Sequence, residues 1–424
     1  MSSAPELLEM SAQASAGAAL LVAGPVAGPA EPVKLRPSLA RLRDWVERRD
    51  YAGWEPYDLL NSPVFSARAF SKFPLNWLAV QAGKRIGSVV LRRTLRVPAS
   101  KNPKALALFL SGYCDLARSG EDTRRAAEYL KWELTRLRSP NEPELCWGYD
   151  WPYVSLRGTR MPAFSPNAIA TVACGEALLD LWEVFGDGEA LAMAKSAGAF
   201  ILSRLSRSVD VAEQLCFSYT PSKRSRIYNS SALCSAFLAR LGMQIESEEH
   251  LALARRGMRY LAAGMRSDGS WPYGEGRWQN WIDSFHTGFN LSALVGYESA
   301  TGDRSFAGVL KTGYDFYVKL FFQADGAPNY YPDSLYPIDI HSCAQALLLL
   351  TDLSEHARKA RDLAHKVLLW TEANMQSPHG FFYYQRHRWW TNRVPYMRWA
   401  QAWMFRALAH IHSKAFPNLA PTPL

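Results

Sequence analysis

Apolar stretches of helical length recur along the chain, each entered through a loop rich in Gly, Pro and aromatic residues and opened by a polar residue. Ser165-Pro166-Asn167 leads into Ala168 to Phe185, Tyr228-Asn229-Ser230 into Ala232 to Leu241, and Asp283-Ser284-Phe285-His286 into Thr287 to Thr301. Asp339-Ile340-His341 leads into Ser342 to Leu353, and Arg398-Trp399 into Ala400 to Ile411. With Asn167, Asn229, His286, His341 and Arg398 as markers, the spacings are 62, 57, 55 and 57 residues. A sixth copy opens at Asn102-Pro103 ahead of Lys104 to Ala117, 65 residues before Asn167. More amphipathic helices lie between the marked ones: Glu189 to Arg204, Glu248 to Met265, Ser305 to Phe322 and Glu355 to Met375.

A helical hairpin cannot bury its apolar face alone, so a repeat of this length demands stacking on its neighbours. Six hairpins close most naturally into a double ring, which predicts an all-α (α/α)6 toroid in preference to an open solenoid. Strands are expected only as short pieces such as Gly380 to Tyr384. The expected layout is an Ala/Gly/Pro-rich tail over 1–34, a helical segment packing on the ring over 35–100, the toroid over 101–415 and a flexible end over 416–424. Inner helices almost free of charge, such as Cys343 to Leu353, are expected around the axis, with their N-termini and preceding loops gathered at one mouth.

Those loops hold the unusual residues. Trp147, Tyr149, Asp150 and Trp151 precede the second marked helix together with Arg160 and Asn167; Tyr219, Tyr228 and Asn229 belong to the third. Trp271, Tyr273, Arg277 and Trp281 precede the fourth, Tyr330, Tyr331 and Tyr336 the fifth, and Trp390, Arg393, Tyr396, Arg398 and Trp399 the sixth. Rings stack on the apolar faces of sugars, amides and imidazoles bond hydroxyls, and guanidinium groups hold carboxylates, so the set is read as substrate-binding. Two carboxylate-histidine pairs, Asp283 with His286 and Asp339 with His341, stand at helix starts and are the candidate catalytic residues. Either Asp serves equally as an ordinary N-cap there.

The composition of the 424 residues sharpens the ligand class. Phe, Trp and Tyr number 53, more than a core of Leu, Val and Ala needs, and the net charge of +9 is carried by 35 Arg against 13 Lys. Arginine favours planar bidentate pairing with carboxylate and phosphate. The basic residues are scattered with no concentrated stripe, which argues against nucleic acid. The expected partner is an acidic oligosaccharide, free or lipid-linked, while oligomeric state is left open. Six scattered cysteines offer no metal-ligand spacing, so neither metal nor cofactor is expected, and a reducing, cytoplasmic setting is the simplest inference. No stretch of about 20 apolar residues exists to span a membrane. Segment 35–97, with Trp54, Tyr57, Phe65, Phe70, Phe73 and Trp77 beside several arginines, reads either as packing across the ring or as a peripheral membrane contact.

Two facing carboxylates can act as general acid and base in glycoside hydrolysis, which places Asp283 and Asp339 first. Alternatively, Tyr and His can exchange the proton on uronate C5 as a uronyl epimerase or lyase does, with Arg neutralising the carboxylate. A non-catalytic glycan-binding or assembly protein would use the same mouth. Asp268-Gly269-Ser270-Trp271 resembles the tail of the repeat signature of squalene and hopene cyclases, but the acidic clusters of those enzymes are missing. Asp58 and Glu275 are read as surface carboxylates.

Trp281-Ile282-Asp283-Ser284-Phe285-His286-Thr287-Gly288, Tyr336-Pro337-Ile338-Asp339-Ile340-His341-Ser342 and Tyr396-Met397-Arg398-Trp399-Ala400-Gln401-Ala402-Trp403 resemble proteins encoded in capsule and exopolysaccharide gene clusters. Phe217 to Pro221 and Tyr57 to Ser62 fit the same family, and the likeness runs from about Asp50 to Ile411. The resemblance implies an (α/α)6 toroid related to uronyl C5-epimerases and unsaturated glucuronyl hydrolases, and a part in polysaccharide biosynthesis. It implies no particular catalytic residue. Some members carry the label delta-aminolevulinic acid dehydratase, which would require a (β/α)8 barrel with Schiff-base lysines, and no Lys here lies in a strand-helix series.

Overall fold

The computed structural model describes residues 35–66, 74–154, 160–354 and 358–414. Helix α1 spans Pro37–Glu47, and the connecting segment after it carries α2 (Leu75–Ile86) and α3 (Val89–Thr94). Then follow α4 (Pro103–Arg118), α5 (Arg124–Arg136), α6 (Ala168–Phe185), α7 (Gly188–Arg204), α8 (Tyr228–Gln244) and α9 (Glu248–Ala263). The chain ends through α10 (Ser284–Thr301), α11 (Ala307–Leu320), α12 (Ile340–Leu353), α13 (Arg358–Met375) and α14 (Trp403–Ser413). The starts are written in the sequence as Asx caps. Asn102 accepts from Ala105 N at 3.2 Å, Asn167 from Ala170 N at 2.9 Å, Asp283 from His286 N at 2.9 Å and Asp339 from His341 N at 2.8 Å. Gly186 and Gly302, at φ 70 and 72, end α6 and α10 in the left-handed conformation that a side chain would strain.

Helices α4, α6, α8, α10, α12 and α14 pack each against the next, and α14 packs back on α4, so the inner ring is closed. The fold is an all-α (α/α)6 toroid. Helix α1 belongs to its outer layer: Ser38 Oγ donates to Glu372 of α13 at 2.5 Å, and Arg43 pairs with Glu121, just before α5, at 3.5 Å. The first helix of segment 35–100 thus stands in the sixth outer position, and the remainder builds a small separate core from Leu59, Leu60, Ala79, Val80, Val97 and Val154. Phe70 and Phe73 lie outside the described residues, as do the tail over 1–34, residues 355–357 of the expected outer helix and residues 415–424.

Two features depart from the expected ring. The inner helices carry a charged belt: Arg406 of α14 pairs with Asp115 of α4, Arg118 of α4 and Arg240 of α8 meet Asp180 of α6 at 3.5 and 2.8 Å, and His410 meets Asp352 of α12 at 2.6 Å. These pairs tie successive helices across the closure, and they escape a one-helix view because each partner lies a repeat away. The strands also lie elsewhere than expected, the longest pairing being β3 (Arg207–Val211) with β4 (Gln214–Phe217), after the two-residue strands β1 (Tyr153–Val154) and β2 (Arg160–Met161). Among the described residues no helix is long and apolar enough to cross a membrane, and all six cysteines are buried free thiols.

Closure also relies on Gly112, where a Cβ would lie 2.6 Å from the Phe405 ring. Gly112→Ala is expected to cost about 1–3 kcal/mol through overpacking at the α4/α14 joint, read as a lower urea midpoint at unchanged slope. An unchanged midpoint would show that the joint yields freely.

Candidate functional site

The carboxylate-histidine pairs at the starts of α10 and α12 differ in kind. Asp283 is 2 % exposed and fully engaged: Oδ1 caps His286 N, while Oδ2 accepts from Trp281 Nε1 at 3.1 Å and faces His286 Nδ1 at 2.6 Å. This contact places the Nδ1 proton toward the carboxylate and leaves Nε2 as the free lone pair of a half-buried imidazole, with no bonded partner among the described residues. Asp339 is 0 % exposed, with Oδ1 capping His341 N and accepting from Trp399 Nε1 at 2.9 Å and Oδ2 accepting from Gln385 Nε2 at 2.6 Å. His341, 2 % exposed, has no hydrogen bond on either ring nitrogen. Burial above all, with Lys104, Arg398 and His286 adding, holds His341 well below the ordinary imidazole range, so it is neutral at pH 7. Its ring stacks on Phe285 at 4.8 Å, and His286 lies 4.2 Å from the same Phe285 ring.

Around these imidazoles the loops set a wall of rings. Tyr149 stacks on Trp151 at 4.7 Å and shares a hydrogen bond with the Tyr219 hydroxyl at 3.1 Å. Tyr57 bridges Trp151 and Trp399, Tyr273 lies between Trp281 at 4.5 Å and His286 at 4.6 Å, and Tyr330 joins Phe285 to the exposed Tyr331. Arg398 and Trp399 enter on a π-helical turn over Met397–Ala402, where a regular helix was expected. Such turns recur at functional sites. Here the turn is held by Met397 N on Trp54 O at 2.9 Å and by Arg398 N on Glu55 Oε1 at 2.8 Å. The Arg398 guanidinium lies 5.0–5.2 Å from the rings of Tyr149, Trp151 and Trp399, pairs through Nη2 with Glu55 at 3.1 Å, and leaves Nε unbonded.

Several expected site residues stand elsewhere. Trp147 and Trp271 are buried inside the hairpins with their indole N–H groups on Leu134 O and Leu261 O, Tyr228 stacks on Tyr260 toward the outer layer, and Tyr396 is buried under Arg92. Asn167 is spent as a helix cap, and Asp150 accepts from Asn102 at 2.5 Å and from Ser100. Asn229 is buried with Oδ1 unbonded, and Tyr336 is half-buried beside the core. Arg277, Trp390 and Arg393 are exposed and touch only local rings: Trp278, His387 and Tyr383 respectively. Arg160 pairs its backbone with Val154, and its side chain is outside what the structure describes. Aromatic loop residues divide between core and mouth because a loop that turns into a buried helix has its own interior to fill, and ring type alone does not distinguish the two.

The sequence reading missed a buried electrostatic group supplied by segment 54–104. Asp58, read as a surface residue, is 1 % exposed and faces the fully buried Arg92 at 3.5 Å. Burial pushes Glu55 up to about 8 and Asp58 up to about 7 despite their arginine partners. Lys104, in the first turn of α4, is buried with its ammonium over the rings of Trp403 and Phe289. The signal for it was present: a lysine ahead of the apolar run Ala105 to Leu110 of an inner helix. Among the described residues no cluster of His, Cys, Asp and Glu is arranged to hold a metal ion.

No family model and no curated protein matches the sequence. Solved structures do match the fold. Cellobiose 2-epimerase from Bacillus thermoamylovorans superposes with a TM-score of 0.58 at 12 % identity, covering 74 % of this chain and 90 % of that one. A GH76 α-mannanase from Bacteroides thetaiotaomicron gives 0.54 at 14 % identity, covering 74 % and 87 %. An unsaturated glucuronyl hydrolase specific for heparin gives 0.52 at 13 % identity, covering 73 % and 86 %. At such identities the likeness establishes the six-hairpin architecture.

Proposed function

We infer that this toroid is a carbohydrate-active enzyme that moves a proton on and off carbon in a uronate-bearing oligosaccharide during surface-polysaccharide production. The reaction class is epimerisation or elimination. The observation that carries this reading is the pairing of His286 Nδ1 with Asp283 Oδ2 at 2.6 Å beside a neutral, unbonded His341. Proton exchange needs one group with a free lone pair and another that can hold a proton ready to give. His341 suits the first role. His286 suits the second, because the Asp283 carboxylate holds Nδ1 at 2.6 Å and fixes the orientation of Nε2. In the forward step the C5–H pair of electrons passes into the adjacent carboxylate as His341 takes the proton. Arg398 faces the charge that develops there, and His286 Nε2, once it carries a proton, gives it to C5 in epimerisation or to the departing C4 oxygen in elimination.

Acid/base hydrolysis by Asp283 and Asp339 is the second reading, and it is favoured by the hydrolases that share the fold. It asks more of these residues, since each carboxylate is buried and holds three donor contacts. A single assay in isotopic water separates the outcomes. Incubation with uronate oligosaccharides in D2O enriched in oxygen-18 is expected to place deuterium at C5 in epimerisation, or to give a C4–C5 unsaturated product in elimination. Cleavage carrying water oxygen without deuterium would support hydrolysis, and binding with neither would leave a glycan-binding protein.

A further inference from the structure

We propose that Lys104 selects for a negatively charged sugar, its ammonium receiving a substrate carboxylate at the floor of the mouth. This rests on the saccharide reading above and narrows it. Lys104 is the second residue of α4, behind the Asn102 cap and Pro103, and is 5 % exposed. Its Nζ lies 5.1 Å from the Trp403 ring and 5.6 Å from the Phe289 ring. His341 packs on the same two rings at 4.7 and 5.7 Å, so the ammonium and the unbonded imidazole are held against one pair of aromatic faces. Arg398, 3 % exposed with Nε unbonded, is the third group whose charge both of them sense.

Two ring faces are the cation's own contacts here, and no anion joins them. Among the described residues no carboxylate stands within ion-pairing distance of Lys104, and Glu55, the nearest acid in effect, is already spent on the backbone and guanidinium of Arg398. The first turn of α4 is the positive end of its dipole, which disfavours an ammonium. The neighbouring cations are held differently: Arg92 has Asp58 and two carbonyls, and Lys101 has Asp50 and Glu133. Burial pushes the Lys104 ammonium down to about 7, with Arg398 pushing the same way and Glu55 and Cys174 opposing. An arriving carboxylate supplies the missing partner, and two flat aromatic faces beside it suit a sugar ring.

Calorimetry on the full chain with D-glucuronate and D-glucose tests this. The wild type is expected to prefer glucuronate by about tenfold or more at pH 6.5, the worth of one charge-assisted hydrogen bond, with proton uptake on binding at pH 7.5. Lys104→Met and Lys104→Gln are expected to bind the two sugars equally. Lys104→Met is also expected to melt higher than the wild type. Because the folded chain depresses this group from 10.5 to about 7, its contribution to stability is present above about pH 10.5 and lost as pH falls through about 7, so the gain is larger at pH 6 than at pH 10. A glucuronate preference that survives either substitution, equal binding by the wild type, or a Lys104→Met chain that is destabilised overturns the inference alone. Failure of the wild type to bind either sugar overturns the saccharide reading with it.

Discussion

His286→Gln is expected to lower kcat for deuterium exchange by about 10²–10⁴-fold, the usual worth of a positioned general acid or base. The fold should survive, because Asp283 caps α10 through the backbone N–H of residue 286 and keeps its bond to Trp281. Substrate affinity should change little, since Trp281 and Tyr330 are untouched and Tyr273 keeps its stack on Trp281. Asp283→Asn probes the same dyad from the other side: the cap is retained while Nδ1 of His286 loses its carboxylate partner, so kcat is expected to fall with little change in KM. Full activity in His286→Gln would remove the imidazole from the chemistry and return attention to the carboxylates.

Arg92→Met is expected to destabilise the chain by about 3–5 kcal/mol, the usual cost of breaking a buried ion pair by removing one partner. Arg92 is 0 % exposed and joins Asp58 at 3.5 Å, Glu55 O at 3.2 Å and Gly83 O at 3.4 Å, so the single change strands an acid and two carbonyls inside the connecting segment. Adding Asp58→Asn should recover part of the loss, because the amide oxygen can still accept from Glu55 N, which meets Asp58 Oδ2 at 2.7 Å. Asp58 also sets a pH trend. Its folded carboxyl is raised from the ordinary 3.8 to about 7, so the stability it contributes is present below about pH 4 and is lost as pH rises through about 7. Chemical denaturation of the single and double variants at pH 5 and 8 reads both effects. A single variant as stable as the wild type would show that the segment does not lean on this pair.

Regular spacing of apolar runs was enough to place the six inner helices, four of them behind Asx caps. The starts of those four coincide with Asn102, Asn167, Asp283 and Asp339 because a cap is a contact between residues three apart or fewer, readable without knowing the fold. The same locality let Asp283 and Asp339 be recognised as conspicuous and hid their task. Both carboxylates are occupied in holding the backbone and in setting indoles and an imidazole, leaving the histidines as the free groups. Trp147 and Trp271 were indistinguishable from Trp151 and Trp281 as letters, because only the direction in which a loop turns decides whether an indole fills a hairpin or faces the mouth.

Chain order alone therefore decided the class of architecture, the number of hairpins and the end of each at which polar residues collect, since these follow from periodicity and capping within a few turns of helix. The mutual influence of Lys104, Arg398 and His341 depended on residues 104, 341 and 398 coming together from separate repeats, and so did the pairing of Glu55 with Arg398. Those contacts arise from ring closure. Desolvation at that convergence, which no single repeat experiences, pushes the lysine down to about 7 and keeps the histidine neutral.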